Sequence, residues 1–459
     1  MSALWTAAEI AEATGGSVHG DFEATRVAFD SREIGPGDLF VAMKGAASDG
    51  HLFVDKAFAA GAAGAVVSQE TAHPHVRVAD TVKALDDLGR ASRARCEATI
   101  VGVTGSAGKT GTKEALYAAL ERRAPGRAHR SVKSYNNQTG VPLSLARMPR
   151  DAGFGVFEMG MNHKGELAAL TRLVRPHVAI VTTIAPAHRE YFASDADIAD
   201  AKAEIFEGLE PGGTAILPYD SPHRDRLAAA AKPHAGAIVT FGLGEGADVR
   251  ASYVVRGPRG GSMVTAQLPG AQLSFTVSQP GAHWVANALA VLAAVQAAGG
   301  DLALAGLALA ELGGLKGRGE RHRIAVAGGE ALLIDESYNA NPASMAATLQ
   351  VLADEKVAGR RIAVLGTMRE LGEDSGKFHA ALAAPLEAAQ VDYAILVGDG
   401  MEALAKALGG QIKMAHVPDA ATAIPLAREA IGPGDAMLVK GSNSIGLAAL
   451  VEALVGGTD

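Results

Sequence analysis

Lys109 and Thr110 follow directly on Gly108 in the stretch TIVGVTGSAGKTGT, Thr99 to Thr112, and that order of residue types suits phosphate chemistry. Glycines let backbone N–H groups turn inward around phosphate oxygens, a lysine adds a point charge, and a hydroxyl beside it can hold Mg²⁺. The candidate cradle is Thr104, Gly105, Ser106, Ala107, Gly108, Lys109, Thr110 and Gly111. The spacing departs from GxxxxGK[ST], which would put glycine at Val103; here the glycines are Gly102, Gly105 and Gly108. A glycine turn without chemistry would not call for Lys-Thr at a strand-to-helix junction, so nucleoside triphosphate binding is the expectation.

Two further groups end apolar runs in the same way. Gly155 to Phe157 leads into Glu158, and Val178 to Ile184 leads into APAH with His188. Either residue alone reads better as a surface or capping group. Three successive strands ending in polar groups change that reading, because parallel sheets collect ligands at the carboxyl ends of their strands. Lys109, Glu158 and His188 should therefore converge, and a carboxylate and an imidazole beside a triphosphate are candidate Mg²⁺ ligands. His283 and Asn287 are neighbours at i, i+4 on a predicted helix, although a core-facing histidine would look the same. Ser31, Arg32, Lys44, Asp49 and His51 sit at strand ends or in loops, either as binding groups or as solvated loop residues.

The elements that must position these groups alternate between strand and helix. The apolar run Ile100 to Val103, the glycine loop and the helix Glu114 to Arg122 form one unit. A helix Asp195 to Leu209 carries Lys202 near its middle, and Ser252 to Val277 reads as antiparallel hairpins turned at GPRGG and PG. Beyond the basic, glycine-rich linker GLKGRGERHR, a hairpin and alternating β and α units predict a Rossmann-like sheet; without GxGxxG, no dinucleotide is indicated. The fold class is α/β with three domains: residues 1–97, a small α/β module; 98–312, a central P-loop parallel-sheet ATPase domain; and 313–459, the Rossmann-like domain.

Composition narrows the functional classes. Of 459 residues, 48% are hydrophobic and 20% charged, which allows substantial cores. A formal net charge of −8 without a long basic run argues against nucleic acid as the main partner. Cys96 is the lone cysteine, which suits a reducing cytoplasm, and neither a signal peptide nor a membrane span is expected.

Taken together, the motifs resemble those of the Mur ligases, ATP-dependent enzymes that add amino acids to the peptidoglycan precursor. The resemblance runs from DSREIGPGDLFVAMKG and DGH through TGSAGKT, NNQTGVPL, FEMGMNHKGE, APAH and AKAEIF to DESYNANP, MRELGEDS and KGSNS. Within that family the DESYNANP loop is specific to action on D-Ala-D-Ala. The resemblance implies an amide ligase using ATP and two Mg²⁺ ions, with UDP-MurNAc-tripeptide and D-Ala-D-Ala as small-molecule substrates, acting as a cytoplasmic monomer through an acyl phosphate.

It also implies roles for individual residues. Ser31, Arg32 and the loop Lys44 to His51 would lie near the UDP end, and Asn137 beside the substrate. Thr110, Glu158, His188 and Lys202 would serve the metal ions, with Lys202 carbamylated; an exposed helix lysine is the plainer reading of its composition. Asn287, Arg321, Asp335, Tyr338 and Asn339 would meet the nucleotide, and Lys440 and Ser442 the incoming amine. Two positions depart from the family pattern: Trp284 stands where asparagine follows the histidine, and Asn443 where arginine is usual. The rival readings are a sister Mur enzyme, a folylpolyglutamate synthase-like amide ligase and a nucleotide-switched binding protein.

Overall fold

The strand Thr99–Thr104 lies third from one edge of a nine-stranded sheet, between Phe154–Glu158 on one side and Val178–Val181 on the other. These are near-continuous apolar runs because the sheet is covered on both faces. In a computed structural model describing residues 3–45, 48–257 and 260–456, alternate residues point to opposite cores. Val101 and Val103 join Leu116, Leu120, Leu289 and Leu292 under the helices Lys109–Arg123 and Ala282–Ala297. Ile100 and Phe157 join Leu167, Ile198 and Phe206 on the other face. The parallel order continues outward through Thr214–Pro218 and Ala237–Gly242, and Val249–Arg256, Ser262–Leu268 and Ala271–Val277 close it as the antiparallel meander read from the sequence. Residues 258–259 of the expected GPRGG turn, and 46–47 of the loop Lys44 to His51, lie outside the described residues.

A five-stranded sheet precedes this one. Its strands Arg26–Ala28, Asp38–Val41, Gly64–Val67 and His75–Arg77 are parallel, and Ser17–His19 is an antiparallel edge. A six-stranded sheet follows, with the antiparallel pair Glu320–Val326 and Gly329–Glu336 leading into the parallel strands Ala436–Lys440, Arg361–Gly366, Tyr393–Val397 and Lys413–Val417. No helix among the described residues is long and apolar enough to cross a membrane.

One helix is shorter than its apolar pattern. Asp195–Ala203 is α-helical, but Glu204–Gly208 tightens to a 3₁₀ turn. The buried Glu204 carboxylate accepts the N–H groups of Gly165 (2.7 Å) and Ala168 (3.1 Å), at the N-terminus of the helix Glu166–Val174. A carboxylate there satisfies orphan donors and meets the positive end of the helix dipole. Lys202 therefore stands near the end of its α-helix, where the chain turns in.

The two joints between sheets differ in kind. The first core extends into the helix Gly140–Ala146: Leu143 and Ala146 pack with Trp5, Leu85 and Leu88, and Trp5 Nε1 donates to Ala146 O at 2.9 Å. The buried Arg93 fastens the helix Thr81–Arg95 to the central sheet, donating to Val174 O (2.8 Å) and Arg175 O (2.8 Å) and lying 3.3 Å from Glu210 Oε1. The third sheet instead reaches the second through polar contacts, among them Asn341 Nδ2 to Ser106 O (3.2 Å), Arg318 to Ser134 Oγ (3.2 Å) and Arg189 with Asp374 (3.6 Å).

Replacing Arg93 by methionine keeps the apolar stem and strands two carbonyls and Glu210. With each unsatisfied buried group costing about 1–3 kcal/mol, urea denaturation should register a loss of roughly 3 kcal/mol. A change below about 0.5 kcal/mol would remove Arg93 from this role.

Candidate active site

The glycine loop takes its shape from two backbone positions. Gly105 (φ +150°) and Gly108 (φ +82°) occupy conformations that side chains rarely adopt, and a Cβ at Gly105 would come within 1.9 Å of Thr182 Oγ1. Val103, where the usual spacing asks for glycine, is a buried strand residue. The loop is stitched to the next strand: Ser106 N–H donates to Thr183 O (2.8 Å), Ser106 Oγ to Ala185 O (3.0 Å), and Thr182 Oγ1 lies 2.6 Å from Ala107 O. Thr112 N–H already bonds Gly108 O at 2.9 Å, so the N–H groups before it stay open at the positive end of the helix. Lys109 Nζ folds back onto Gly105 O at 2.6 Å; burial lowers its pKa and Glu158 opposes that shift.

Glu158 is 1% exposed and fully engaged. Its Oε2 accepts from Thr110 Oγ1 (2.8 Å), its Oε1 from Asn136 Nδ2 (2.8 Å), and its own N–H donates to Ser131 Oγ (3.2 Å). Behind it stands Lys113, which the sequence reading did not single out. Its Nζ is 4.0 Å from Glu158 Oε2 and 2.9 Å from Glu114 Oε1, and it donates to Ser131 O (2.9 Å) and Lys133 O (2.6 Å). The available signal was helical: Lys113 shares a face with the core residues Leu116 and Leu120.

His188 and Lys202 open onto the same cleft, of about 970 Å³, as Lys109, Thr110 and Glu158. His188 has φ +57°, and its Nδ1 lies 2.6 Å from Glu370 Oε2, out of line for a hydrogen bond. Glu370 also has positive φ (+63°), and the His188 contact holds its carboxyl below the usual range. Two strained residues thus meet across the joint between the second and third sheets. Lys202 is 1% exposed, and its side chain makes no hydrogen bond or ion pair among the described residues. Burial, and then the nearby Lys109, push its pKa well down.

The third sheet supplies the opposite wall. Tyr338, Asn339, Lys440, Ser442 and Asn443 line the cleft, as do Asn287 and Trp284 from the helix Ala282–Ala297. Lys440 Nζ donates to Asn339 O (3.0 Å) and Glu336 Oε2 (3.3 Å), and Ser442 Oγ accepts from Arg369 N–H (2.9 Å). Trp284 packs over the start of the P-loop helix, so closely that a Cβ on Gly111 would fall 2.7 Å from its ring.

Several expected residues stand elsewhere. Arg321 is turned away from this cleft, with its guanidinium 2.6 Å from Glu355; Arg318, earlier in the same linker, lies in the cleft over the Tyr338 ring at 3.9 Å. The buried Asp335 accepts from the N–H groups of Gly317 (2.9 Å) and Ser337 (3.0 Å), so it shapes the loop from outside the cleft wall. Asn137 caps the helix Gly140–Ala146 through Gly140 N–H (2.9 Å), and its neighbour Asn136 is the one at Glu158.

Ser31, Arg32, Lys44, Asp49 and His51 do not line this cleft. They follow the carboxyl ends of the parallel strands Arg26–Ala28 and Asp38–Val41. Arg32 grips Asp30 (2.7 Å), which lowers the Asp30 pKa to about 2. His51 bridges Asp49 (2.6 Å) and Ser68 N–H (2.9 Å), which occupies both of its ring nitrogens. Glu33, next to Arg32, accepts from Tyr135 Oη (2.9 Å) and Lys133 Nζ (2.5 Å), linking this rim to the loop that carries Asn136.

Comparison with known proteins agrees along the whole chain. Residues 103–295 match the Mur ligase middle domain, residues 317–443 the Mur ligase glutamate ligase domain, and residues 23–129 the catalytic domain of the Mur ligase family. The chain is 34% identical to the UDP-N-acetylmuramoyl-tripeptide–D-alanyl-D-alanine ligase of Escherichia coli K12, covering 98% of each. It is 31% identical to the Bacillus subtilis enzyme of the same name, covering 94% of this chain and 93% of the relative. Among solved structures it resembles MurF from Acinetobacter baumannii (TM-score 0.85, 33% identity, 99% of each chain). It also resembles MurF from Thermotoga maritima in complex with ADP (TM-score 0.77, 26% identity, 94% of this chain and 97% of that one).

The contrast between the two linker arginines gives a direct test. Calorimetric titration with ATP and Mg²⁺ should show Arg318→Ala weakening nucleotide binding about tenfold or more, through loss of a cation beside the phosphate cradle. Arg321→Ala should stay within about twofold of the unaltered protein; the reverse ranking would return Arg321 to the nucleotide site.

Proposed function

The chain belongs to the Mur ligase family, and we propose that its cleft joins D-Ala-D-Ala to UDP-N-acetylmuramoyl-tripeptide at the expense of ATP, through the residues described above. The observation that carries this reading is the Asn341 amide on Ser106 O, which brings the loop DESYNANP onto the glycine loop. The site that binds the triphosphate and the loop distinctive of the D-Ala-D-Ala enzymes thereby share one cleft. The reaction is part of peptidoglycan precursor synthesis, and the lone buried Cys96 suits a reducing cytoplasm.

A carboxylate is a poor electrophile until one of its oxygens becomes a leaving group. In this reading the tripeptide's terminal carboxylate attacks the γ-phosphorus of ATP in line, giving an acyl phosphate and ADP. The open N–H groups at Gly108 to Gly111 hold the phosphates, and Lys109 leaves Gly105 O to meet the charge that develops there. The amine of D-Ala-D-Ala then attacks the acyl carbon, and phosphate departs from the tetrahedral intermediate. Lys440 and Ser442, on the wall carried by the third sheet, face that amine. Closure of the third domain excludes water from an intermediate that water would destroy.

Thr110 Oγ1 and Glu158 Oε2, 2.8 Å apart beside the cradle, present hard oxygens of the kind Mg²⁺ takes, and His188 lines the same cleft with its Nδ1 turned to Glu370. Thr110, Glu158, His188 and a carbamylated Lys202 would hold the two ions. Magnesium, when bound, withdraws charge from the γ-phosphate. Lys202 suits carbamylation because it is buried without a counter-charge and Lys109 disfavours its protonation. The neutral amine adds to CO₂ with loss of one proton, and the resulting anion offers oxygens where an ammonium would repel the ions.

Two experiments test these steps. Phosphate release from ATP should proceed in quantity only with both substrates present; steady turnover with neither would indicate a nucleotide-driven switch, and turnover with a single amino acid a sister ligase. Lys202→Ala should lose activity by a factor on the order of a hundred and regain part of it with added short carboxylic acids. The unaltered enzyme in ¹³C-bicarbonate should give a carbamate carbon signal that the alanine variant lacks. Full activity of the variant in CO₂-free, carboxylate-free buffer would discard the carbamate.

A further inference from the structure

The outer edge of the first sheet carries a second cluster with no part in the cleft. The edge strand Ser17–His19 runs antiparallel to His75–Arg77, with His19 directly opposite His75. Side chains directly opposite on antiparallel strands are close enough to act on one ligand. The two imidazole rings lie parallel, their centroids 4.6 Å apart. Glu70, in the turn before His75, brings its Oε2 to 3.9 Å from His75 Nε2. One donor atom from each of His19, Glu70 and His75 lies within 4.8 Å of the other two.

His75 makes this more than a surface cluster. It is only 2% exposed, and its Nδ1 lies 2.8 Å from His73 O. A carbonyl can only accept, so Nδ1 carries the hydrogen, and in the neutral ring Nε2 presents its lone pair. That Nε2 is buried without a hydrogen-bond partner and faces a carboxylate oxygen, so two acceptors point at one space. Leaving such an atom unsatisfied is costly, and a cation between the two acceptors removes the conflict. Arg77 engages the other Glu70 oxygen, Oε1, which orients Oε2 toward His75. A histidine whose second nitrogen donates to a backbone carbonyl is in the usual arrangement of a metal-bound imidazole.

We propose that His19, Glu70 and His75 form a Zn²⁺ site that clamps the edge strand to its neighbour. Two imidazoles and a carboxylate match zinc's preference for nitrogen and oxygen donors, and the exposed side leaves a fourth position for water. His75 is held in place by its neighbours, whereas His19 and Glu70 are exposed and can turn to reach tetrahedral spacing. The site lies on a different sheet from the Mg²⁺ ligands of the cleft, and its occupation would fasten a strand that otherwise has one free edge.

The test uses the full chain stripped of metal, titrated calorimetrically with ZnCl₂ alone and compared with His19→Gln and His75→Gln. The exposed His19 variant keeps the comparison valid should the buried one fail to fold. The unaltered protein should bind one equivalent of Zn²⁺ more tightly than His19→Gln by at least about tenfold. Saturating Zn²⁺ should also raise its melting temperature by more than it raises that of the variant. Ligase turnover with Mg²⁺ should be equal in the two proteins. Because His188 and the other cleft residues are unchanged, zinc captured there cancels in the comparison. Identical zinc stoichiometry and affinity in the folded His19→Gln protein would overturn the site and leave His75 and Glu70 as a plain ion pair.

Discussion

Glu158 is almost inaccessible to water, so its oxygens have to find their partners inside the protein. That requirement organises the catalytic half of the chain. Thr110 answers it from the first turn of the P-loop helix, Asn136 from the loop after Ala128–Arg130, and Lys113 stands behind both. Lys113 also donates to the carbonyls of Ser131 and Lys133, so the loop carrying Asn136 is pinned to the helix carrying Thr110. One carboxylate at the end of a buried strand thus fixes the relation between cradle, helix and loop. Through Lys133 and Tyr135, which meet Glu33, the same loop passes that order on to the rim of the first sheet.

Much of this was legible in the sequence because the signals are local. The strand, glycine loop and helix around Lys109 are contiguous, and Glu158 closes an apolar run of the length a buried strand needs. The motif resemblance supplied Lys202, whose burial no periodicity announces. What escaped reading depends on contacts between distant segments. Glu370 lies within the motif MRELGEDS, yet its pairing becomes visible only when the third sheet brings it to His188. In the linker GLKGRGERHR the glycines erase any periodicity, so sequence offers no means of deciding that Arg318 faces the cleft and Arg321 faces Glu355. Adjacent asparagines posed the same problem: Asn136 reaches the carboxylate while Asn137 caps a helix.

Element boundaries shifted for equally specific reasons. The helix around Lys202 carries an apolar pattern that continues to Leu209, yet Glu204 is drawn out of α geometry to cap a neighbouring helix. The first core does not stop at residue 97, because Leu143 and Ala146 complete it from a helix far along the chain. A composition change marks where a linker runs; it carries no information about which later helix will fill the cavity left behind.

The two joints between sheets will also respond differently to their surroundings. The joint built on Trp5, Leu143 and Ala146 has an apolar centre, whose strength depends on temperature through the hydration of the surface it hides and is not weakened by charge screening. The joint made by Arg189 with Asp374 and Arg256 with Glu355 is a set of partly exposed charges, which an ionic atmosphere of physiological strength screens over about 8 Å. Salt therefore acts as a selective lubricant in this molecule. It loosens the seam that must open for substrates to enter more than the seam whose centre is Trp5, Leu143 and Ala146.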